Sequence, residues 1–173
     1  MNAISTPLLR HWPIAALVVS AAMLATAHGF ETFGGLAPCN LCLRQREIYW
    51  LAMGVAAVGV LAALAPPGLR LPALACALLA LVFLGGAAIA VYHAGVEWKR
   101  WPGPSTCTGA RGGVSPGALA ALMHGARISA PRCDQAAWRW LGLSMAGWNA
   151  LISLGLAALS GLAAYRSLRH DQG

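Results

Sequence analysis

LPALACALLALVFLGGAAIAVY, residues 71–92, contains no charged side chain. An α-helix advances about 1.5 Å per residue, so about 20 such residues cross the hydrocarbon core of a bilayer. Backbone amides in lipid find no water, and a helix satisfies them within the segment. The run therefore reads as a transmembrane helix. Similar runs lie on either side of it, at about Trp12–Phe30, Leu43–Leu64 and Leu141–Tyr165, all dominated by Ala, Leu and Val. The expected architecture is an all-α membrane protein: a four-transmembrane-helix bundle in which residues 1–173 form a single membrane domain.

Composition points the same way. Apolar residues make up 58% of the chain and charged residues 10%, against about 25% charged in soluble domains. The mean hydropathy is +0.63. Seven Trp against three Phe suit the membrane–water interface, where Trp concentrates. The net charge of +7 does not imply a nucleic-acid partner. The basic residues form no dense stripe, and no nucleic-acid motif accompanies them. They fit contact with anionic lipid headgroups and topology signals, so membrane lipid is the expected partner.

The first run has a second reading as a signal peptide. Arg10 and His11 would precede an apolar stretch, Pro13–Leu24, with Ala25-Thr26-Ala27 as the cleavage site. The topology downstream is the same either way. The connecting segments differ in length: about 31–42, then a short breaker around Ala65-Pro66-Pro67-Gly68, then a long loop of about 93–140. An even number of spans puts both termini on one side and the first and third loops on the other.

Charge gives conflicting signals about which side is which. Arg10 before the first helix, Glu31 after it, and Arg166 and Arg169 after the fourth argue for an internal N-terminus. Yet most Lys and Arg lie in or beside the first and third loops, at Arg44, Arg46, Lys99, Arg100, Arg111, Arg127, Arg132 and Arg139, and a raw count favours the opposite orientation. The cysteines decide it, because paired thiols persist as disulfides in an oxidising compartment. Both termini are expected to be cytoplasmic. In the long loop, Ser115-Pro116 looks like an N-cap with Pro at the first helical position. Leu119, Leu122, Met123 and Ala126 then recur at helical spacing, which predicts a short interfacial helix.

The cysteines carry the chemistry. Of five, Cys76 falls inside the third run and reads as an inert packing residue. Cys39-Asn40-Leu41-Cys42 is a CxxC pair at a helix start, where backbone amides and the helix dipole favour a thiolate. Arg44 and Arg46 add positive charge nearby. Cys107 and Cys133 form a second candidate pair at the two ends of the long loop. Closing that loop is worth about 3.5 kcal/mol by chain entropy, and on its own the pair reads as well as a structural bridge. Together, a pair at the membrane edge and a pair in a loop can pass oxidation through a mixed disulfide.

Pro38-Cys39-Asn40-Leu41-Cys42 with Arg46, Tyr92-His93-Ala94-Gly95-Val96-Glu97-Trp98, Trp101-Pro102-Gly103-Pro104 before Cys107, and Cys133-Asp134 before Leu141-Gly142-Leu143-Ser144-Met145 resemble the disulfide bond formation protein B (DsbB) family over nearly the whole chain. The resemblance implies a protein-dithiol:quinone oxidoreductase of the bacterial inner membrane. Cys107 and Cys133 would accept electrons from a periplasmic DsbA-like thiol oxidase, with Cys107 forming the mixed disulfide. Cys133 would then engage Cys39, and Cys42 would remain as a thiolate facing ubiquinone or menaquinone. Arg46 would polarise a quinone oxygen, and His93 would bond the quinone or supply a proton. Glu97 is expected to pair with a nearby Arg or to relay protons. DsbA-type oxidases sit near about −120 mV, so their re-oxidation needs a stronger acceptor such as a membrane quinone. Two rivals from other classes are a metal site with Cys39, Cys42, Cys107 and Cys133 as ligands, and a structural membrane protein with non-catalytic disulfides.

Overall fold

A computed structural model describes residues 11–63, 71–107, 123 and 132–170 of the chain. Four long helices dominate: α1 (Trp12–Thr32), α2 (Asn40–Ala62), α3 (Leu71–Glu97) and α4 (Met145–His170). A 3-10 turn covers Ser105–Cys107, and two short strands, β1 (Arg139–Trp140) and β2 (Leu143–Ser144), pair antiparallel just before α4. Helices α1, α3 and α4 are long and apolar enough to cross a membrane. Helix α2 has comparable length, but Arg44, Gln45, Arg46 and Glu47 occupy its first turns and lower its hydropathy.

The helix starts follow from local chemistry. Pro13 opens α1, where its fixed φ suits the first turn and no backbone donor is lost. Cys39 caps α2, its sulfur accepting from the Cys42 amide at 3.3 Å. The Ser144 hydroxyl accepts from the Gly147 amide at 3.2 Å and caps α4.

Boundaries shift from the sequence expectation at three places. Helix α2 begins before Leu43 because Cys39 supplies the cap. Helix α3 runs past Tyr92 to Glu97; Ala94, Gly95 and Val96 are buried there, because the following loop folds back over them. The fourth helix begins at Met145 rather than Leu141. Leu141 and Gly142 have φ of 50° and 81° and form the two-residue turn between β1 and β2, the geometry that a twisted hairpin requires. The interfacial helix expected around Leu119–Ala126 lies outside the described residues apart from Met123.

Packing runs α1 against α2, α2 against α3, and α3 most extensively against α4. The contact surfaces are built from small residues: Ala16, Ala52, Ala56, Ala87, Ala90 and Ala163 are buried. Close approach of helix backbones through small residues is how helices associate in lipid, where apolar side chains gain nothing by leaving the solvent. A Cβ at Gly86 would lie 2.9 Å from the Ile48 side chain, so α2 and α3 need a glycine there. Conversely, Val58, Leu61, Leu81, Leu84 and Leu151 face outward, while Ser20, Ser153 and Ser160 are buried. A large-apolar exterior over helix contacts rich in alanine and holding buried serines suits a lipid solvent, and the chain is a membrane protein. At one end of the bundle the Trp12 indole donates to Ser160 Oγ at 2.8 Å, joining the start of α1 to the far part of α4. The α1–α2 connection, the end of α3 and the start of α4 share the other end, and the site forms there.

Candidate functional site

Cys39 and Cys42 lie one turn apart at the head of α2, and their sulfurs are 2.7 Å apart as free thiols. Residues three apart at a helix start meet on one face, so closing this pair needs little backbone movement. Cys39 is buried and Cys42 half-buried. The Cys39 thiol is held well above the usual thiol range, first by its hydrogen bond with Cys42 and then by burial.

The loop after α3 brings in the second pair. The Trp101 ring packs on Gly95, where any Cβ would overlap it. Its indole donates to the Tyr92 carbonyl at 2.8 Å, and the two rings stack at 6.1 Å. Tyr92 in turn donates its hydroxyl proton to the Pro102 carbonyl at 3.0 Å. This fold-back sets Ser105–Cys107 over the head of α2. On the far side of the loop, Lys99 binds Asp134 through both its carbonyl (2.8 Å) and its carboxylate (2.5 Å), and Arg132 holds the same carboxylate at 3.0 Å. Those two cations keep the Asp134 carboxyl down at about 2. Cys133, next to this anchor, is fully buried and disulfide-bonded to Cys107, with Cα atoms 5.3 Å apart. Cys39, Cys107 and Cys133 form one buried cluster with Leu41 and Val96, and Cys42 packs against it.

Behind the cysteines is a buried polar network. His93 Nε2 is 3.7 Å from Cys39 Sγ and 3.8 Å from Glu97 Oε1. Gln45 Nε2 is 2.8 Å from His93 Nδ1. Asn149 donates to Gln45 Oε1 at 2.5 Å, and Tyr49 donates to Asn149 Oδ1 at 2.5 Å. His93 is thus buried inside α3 rather than poised at its end. Glu97 is 8% exposed, and its Oε2 has no hydrogen-bond partner among the described residues. Ser144 and Arg139 also bear on its carboxylate.

Arg46 lies one turn beyond Cys42 on α2 and is largely covered. It donates to Glu31 Oε2 at 2.5 Å and to the Ala27 carbonyl at 3.1 Å, tying α2 to the end of α1. His28 approaches the same carboxylate at 3.8 Å.

The sequence-predicted residues therefore meet in one place: Cys39, Cys42, Cys107, Cys133 and His93 directly, with Arg46 beneath Cys42. Cys76 is buried in the packed core, away from them. Gln45, Tyr49, Asn149 and Glu31 were not singled out as site residues, since nothing local marks a Gln, Tyr or Asn inside an amphiphilic helix. Their only signal is polarity within apolar runs, which is costly in lipid and often functional. The four-cysteine metal site does not form in this state, because Cys107 and Cys133 are bonded to each other. A smaller donor set of Cys39, Cys42 and His93 has its ligand atoms within 4.8 Å of one another. A groove of about 580 Å³ between α2 and α3, lined by Trp50, Val58, Leu71 and Leu78 among others, is almost wholly apolar and faces outward, apart from the cysteines.

Comparison with known proteins bears on this arrangement. A family model described as Disulfide bond formation protein DsbB matches residues 9–163. Disulfide bond formation protein B of Methylococcus capsulatus is 36% identical over 148 residues, 81% of this chain and 84% of that one. Disulfide bond formation protein B 2 of Pseudomonas entomophila is 34% identical over 165 residues, covering 91% and 93%. Its namesake in Pseudomonas putida is 34% identical over 161 residues, with the same coverage.

Proposed function

The chain belongs to the DsbB family, membrane proteins of disulfide bond formation, and on that premise we propose that it is a protein-dithiol:quinone oxidoreductase of the bacterial inner membrane. All four long helices span the bilayer, with the polar head of α2 at the outer interface. Both termini are cytoplasmic and the four clustered cysteines are periplasmic, where an oxidising milieu lets the pairs persist. Residues 1–173 act as one membrane domain.

The observation that carries the reading is the single cluster of Cys39, Cys107 and Cys133 with Cys42 against it. Thiol–disulfide exchange needs sulfur to reach sulfur, and two pairs on one buried surface meet that need. Cys107–Cys133 accepts two electrons from the reduced dithiol of a periplasmic DsbA-like thiol oxidase. Cys133 then attacks Cys39 of the oxidised Cys39–Cys42 pair, releasing Cys42 as a thiolate, and Cys107 attacks Cys133 of that mixed disulfide, re-forming Cys107–Cys133 and freeing the Cys39 thiol. Each turnover oxidises the partner's two thiols to a disulfide and delivers two electrons and two protons to ubiquinone or menaquinone, forming the quinol.

The residues beside Cys42 fit a quinone. Cys42 is half-buried at the edge of the bundle. Arg46 has five N–H donors; Glu31 and the Ala27 carbonyl engage two of its nitrogens, so donors remain for a quinone oxygen. The guanidinium stays charged at any working pH. His93 serves the same end of the relay through Cys39, which it faces.

The test is purified protein with a reduced thioredoxin-like oxidase and a quinone, followed by quinol formation. Turnover in the wild type and none in Cys42→Ser is the expected result. One equivalent of tightly bound zinc with no quinol formation would instead favour the Cys39, Cys42 and His93 donor set as a metal site.

A further inference from the structure

The buried network behind the cysteines has a direction. Tyr49 gives its hydroxyl proton to Asn149 Oδ1, at 2.5 Å. The amide nitrogen of Asn149 then donates to Gln45 Oε1, also at 2.5 Å. With its oxygen used as acceptor, Gln45 turns its NH₂ toward His93 Nδ1, 2.8 Å away. An NH₂ group can only donate, so Nδ1 accepts and carries no hydrogen. The ring is then neutral, with its one hydrogen on Nε2, the nitrogen that faces Cys39 Sγ at 3.7 Å. Cys39 also accepts the Cys42 amide, and its sulfur lies 2.7 Å from that of Cys42.

We propose that Tyr49, Asn149, Gln45 and His93 are positioning residues forming a one-way hydrogen-bond chain that ends on the cysteine pair, fixing His93 as the Nε2–H tautomer and making Cys39 the proton-bearing and Cys42 the thiolate member of the reduced pair.

The logic is one of donors and acceptors. A His93 Nε2–H pointing at Cys39 cannot accept the Cys39 proton, so that proton is left to bond Cys42. Cys39 accepts from Nε2–H and donates to Cys42, and every donor in the chain points the same way. In a low-dielectric interior, aligned hydrogen bonds polarise one another. The reversed tautomer would draw the Cys39 proton toward His93 and leave the Cys42 sulfur without it. The high-lying Cys39 thiol agrees with this polarity. Asn149 is on α4, Tyr49 and Gln45 are on α2, and His93 is on α3, so the polarity is set by the packing of three helices. Glu97, 3.8 Å from Nε2, and the Cys133 backbone carbonyl, which also bonds the His93 ring, are acceptors that share the ring hydrogen with Cys39 and support the same tautomer.

The inference rests on Cys39–Cys42 being the exchanging pair, but its test needs no quinone turnover. Two substitutions reverse the chain. An ionised Asp at position 149 can only accept, so Asn149→Asp, studied at a pH high enough to ionise the buried carboxyl, makes Gln45 donate to it and present Oε1 to His93. Under the same condition Gln45→Glu presents an acceptor to Nδ1 directly. Protein labelled with ¹⁵N-histidine, fully reduced in detergent or nanodiscs, reports the tautomer through the two ring-nitrogen shifts. The wild type is expected to show a protonated Nε2 and a bare Nδ1, and whichever variant folds should show the opposite. Alkylation of the reduced pair, mapped by mass spectrometry, should favour Cys42 in the wild type. That preference should fall about tenfold in the variants, the scale of one hydrogen bond to a charged group. A wild-type signal with hydrogen on Nδ1 overturns the proposal, as does a variant with a switched tautomer and unchanged Cys42 preference. If quinol formation fails while tautomer and alkylation behave as stated, the reading of the relay falls and the polarised chain stands.

Discussion

The Trp101 indole lies against the backbone of Gly95, in the space that a side chain at position 95 would occupy. The contact turns the chain back over the end of α3 and carries Cys107 to the head of α2. Gly95 is helical, so its value here is the missing Cβ, and even Ala would displace the ring. Forcing atoms into a packed site costs about 1–3 kcal/mol. Gly95→Val is therefore expected to lower the midpoint of thermal unfolding and cut oxidation of the partner thiol by at least about tenfold. Trp101→Ala, which loosens the loop without overpacking, should reduce the rate with a smaller thermal effect. Normal kinetics in Gly95→Val would show that the fold-back does not position Cys107.

Asp134 anchors Cys133 through Lys99 and Arg132. Its carboxyl is depressed to about 2, so the folded form favours the charged state. The anchoring it provides is fully present above the ordinary Asp range, near pH 4, and is lost as pH falls through about 2. The group is partly exposed and screened, so the effect is local rather than global. Asp134→Asn should speed phosphine reduction of Cys107–Cys133 at neutral pH about two- to threefold, as expected for exposed ion pairs. In the wild type, the same acceleration should appear only as the medium is taken down toward pH 2. Identical rates for the two proteins at pH 7 would remove Asp134 as an anchor.

Arg46 is shared between Glu31, the Ala27 carbonyl and whatever docks beside Cys42. Arg46→Ala should raise the apparent KM for quinone about tenfold, the value of a lost charge-assisted hydrogen bond. Glu31→Gln should move KM less than about threefold, since the Ala27 carbonyl still orients the guanidinium. Steady-state titration with a short-chain quinone distinguishes the two. An unchanged KM in Arg46→Ala takes Arg46 out of the quinone site.

Cys76 is buried with Leu79 and Phe83 in the helix core. Cys76→Ala should leave turnover unchanged and cost about 1 kcal/mol from lost packing. A large loss of quinol formation would mean that this sulfur takes part in the chemistry.

The apolar runs revealed three of the long helices directly, because lipid demands length and hydropathy that few other structures share. Helix α2 was legible too, though Arg44–Glu47 dilute it. The end of α3 was not, since His93 and Glu97 look like an interface when the covering loop is unseen. The hairpin before α4 was also hidden: Leu141, Leu143 and Met145 read as the start of an apolar helix, and only Gly142 signalled a turn. At the site, the CxxC spacing and the loop cysteines were visible as local patterns. The Tyr49–Asn149–Gln45–His93 chain was not, because its members lie on three helices and meet only through packing. Glu31 was visible as charge and was read for topology, while its salt bridge with Arg46 depends on how α1 ends beside α2.

The Trp12–Ser160 bond has a consequence for biosynthesis. Of the four long helices described, the first to be synthesised is fastened to the last. Until α4 arrives, the Trp12 indole N–H lacks its hydroxyl partner, and the Tyr49 and Gln45 side chains lack Asn149. A nascent chain stalled after α3 therefore carries these donors and acceptors without their α4 partners.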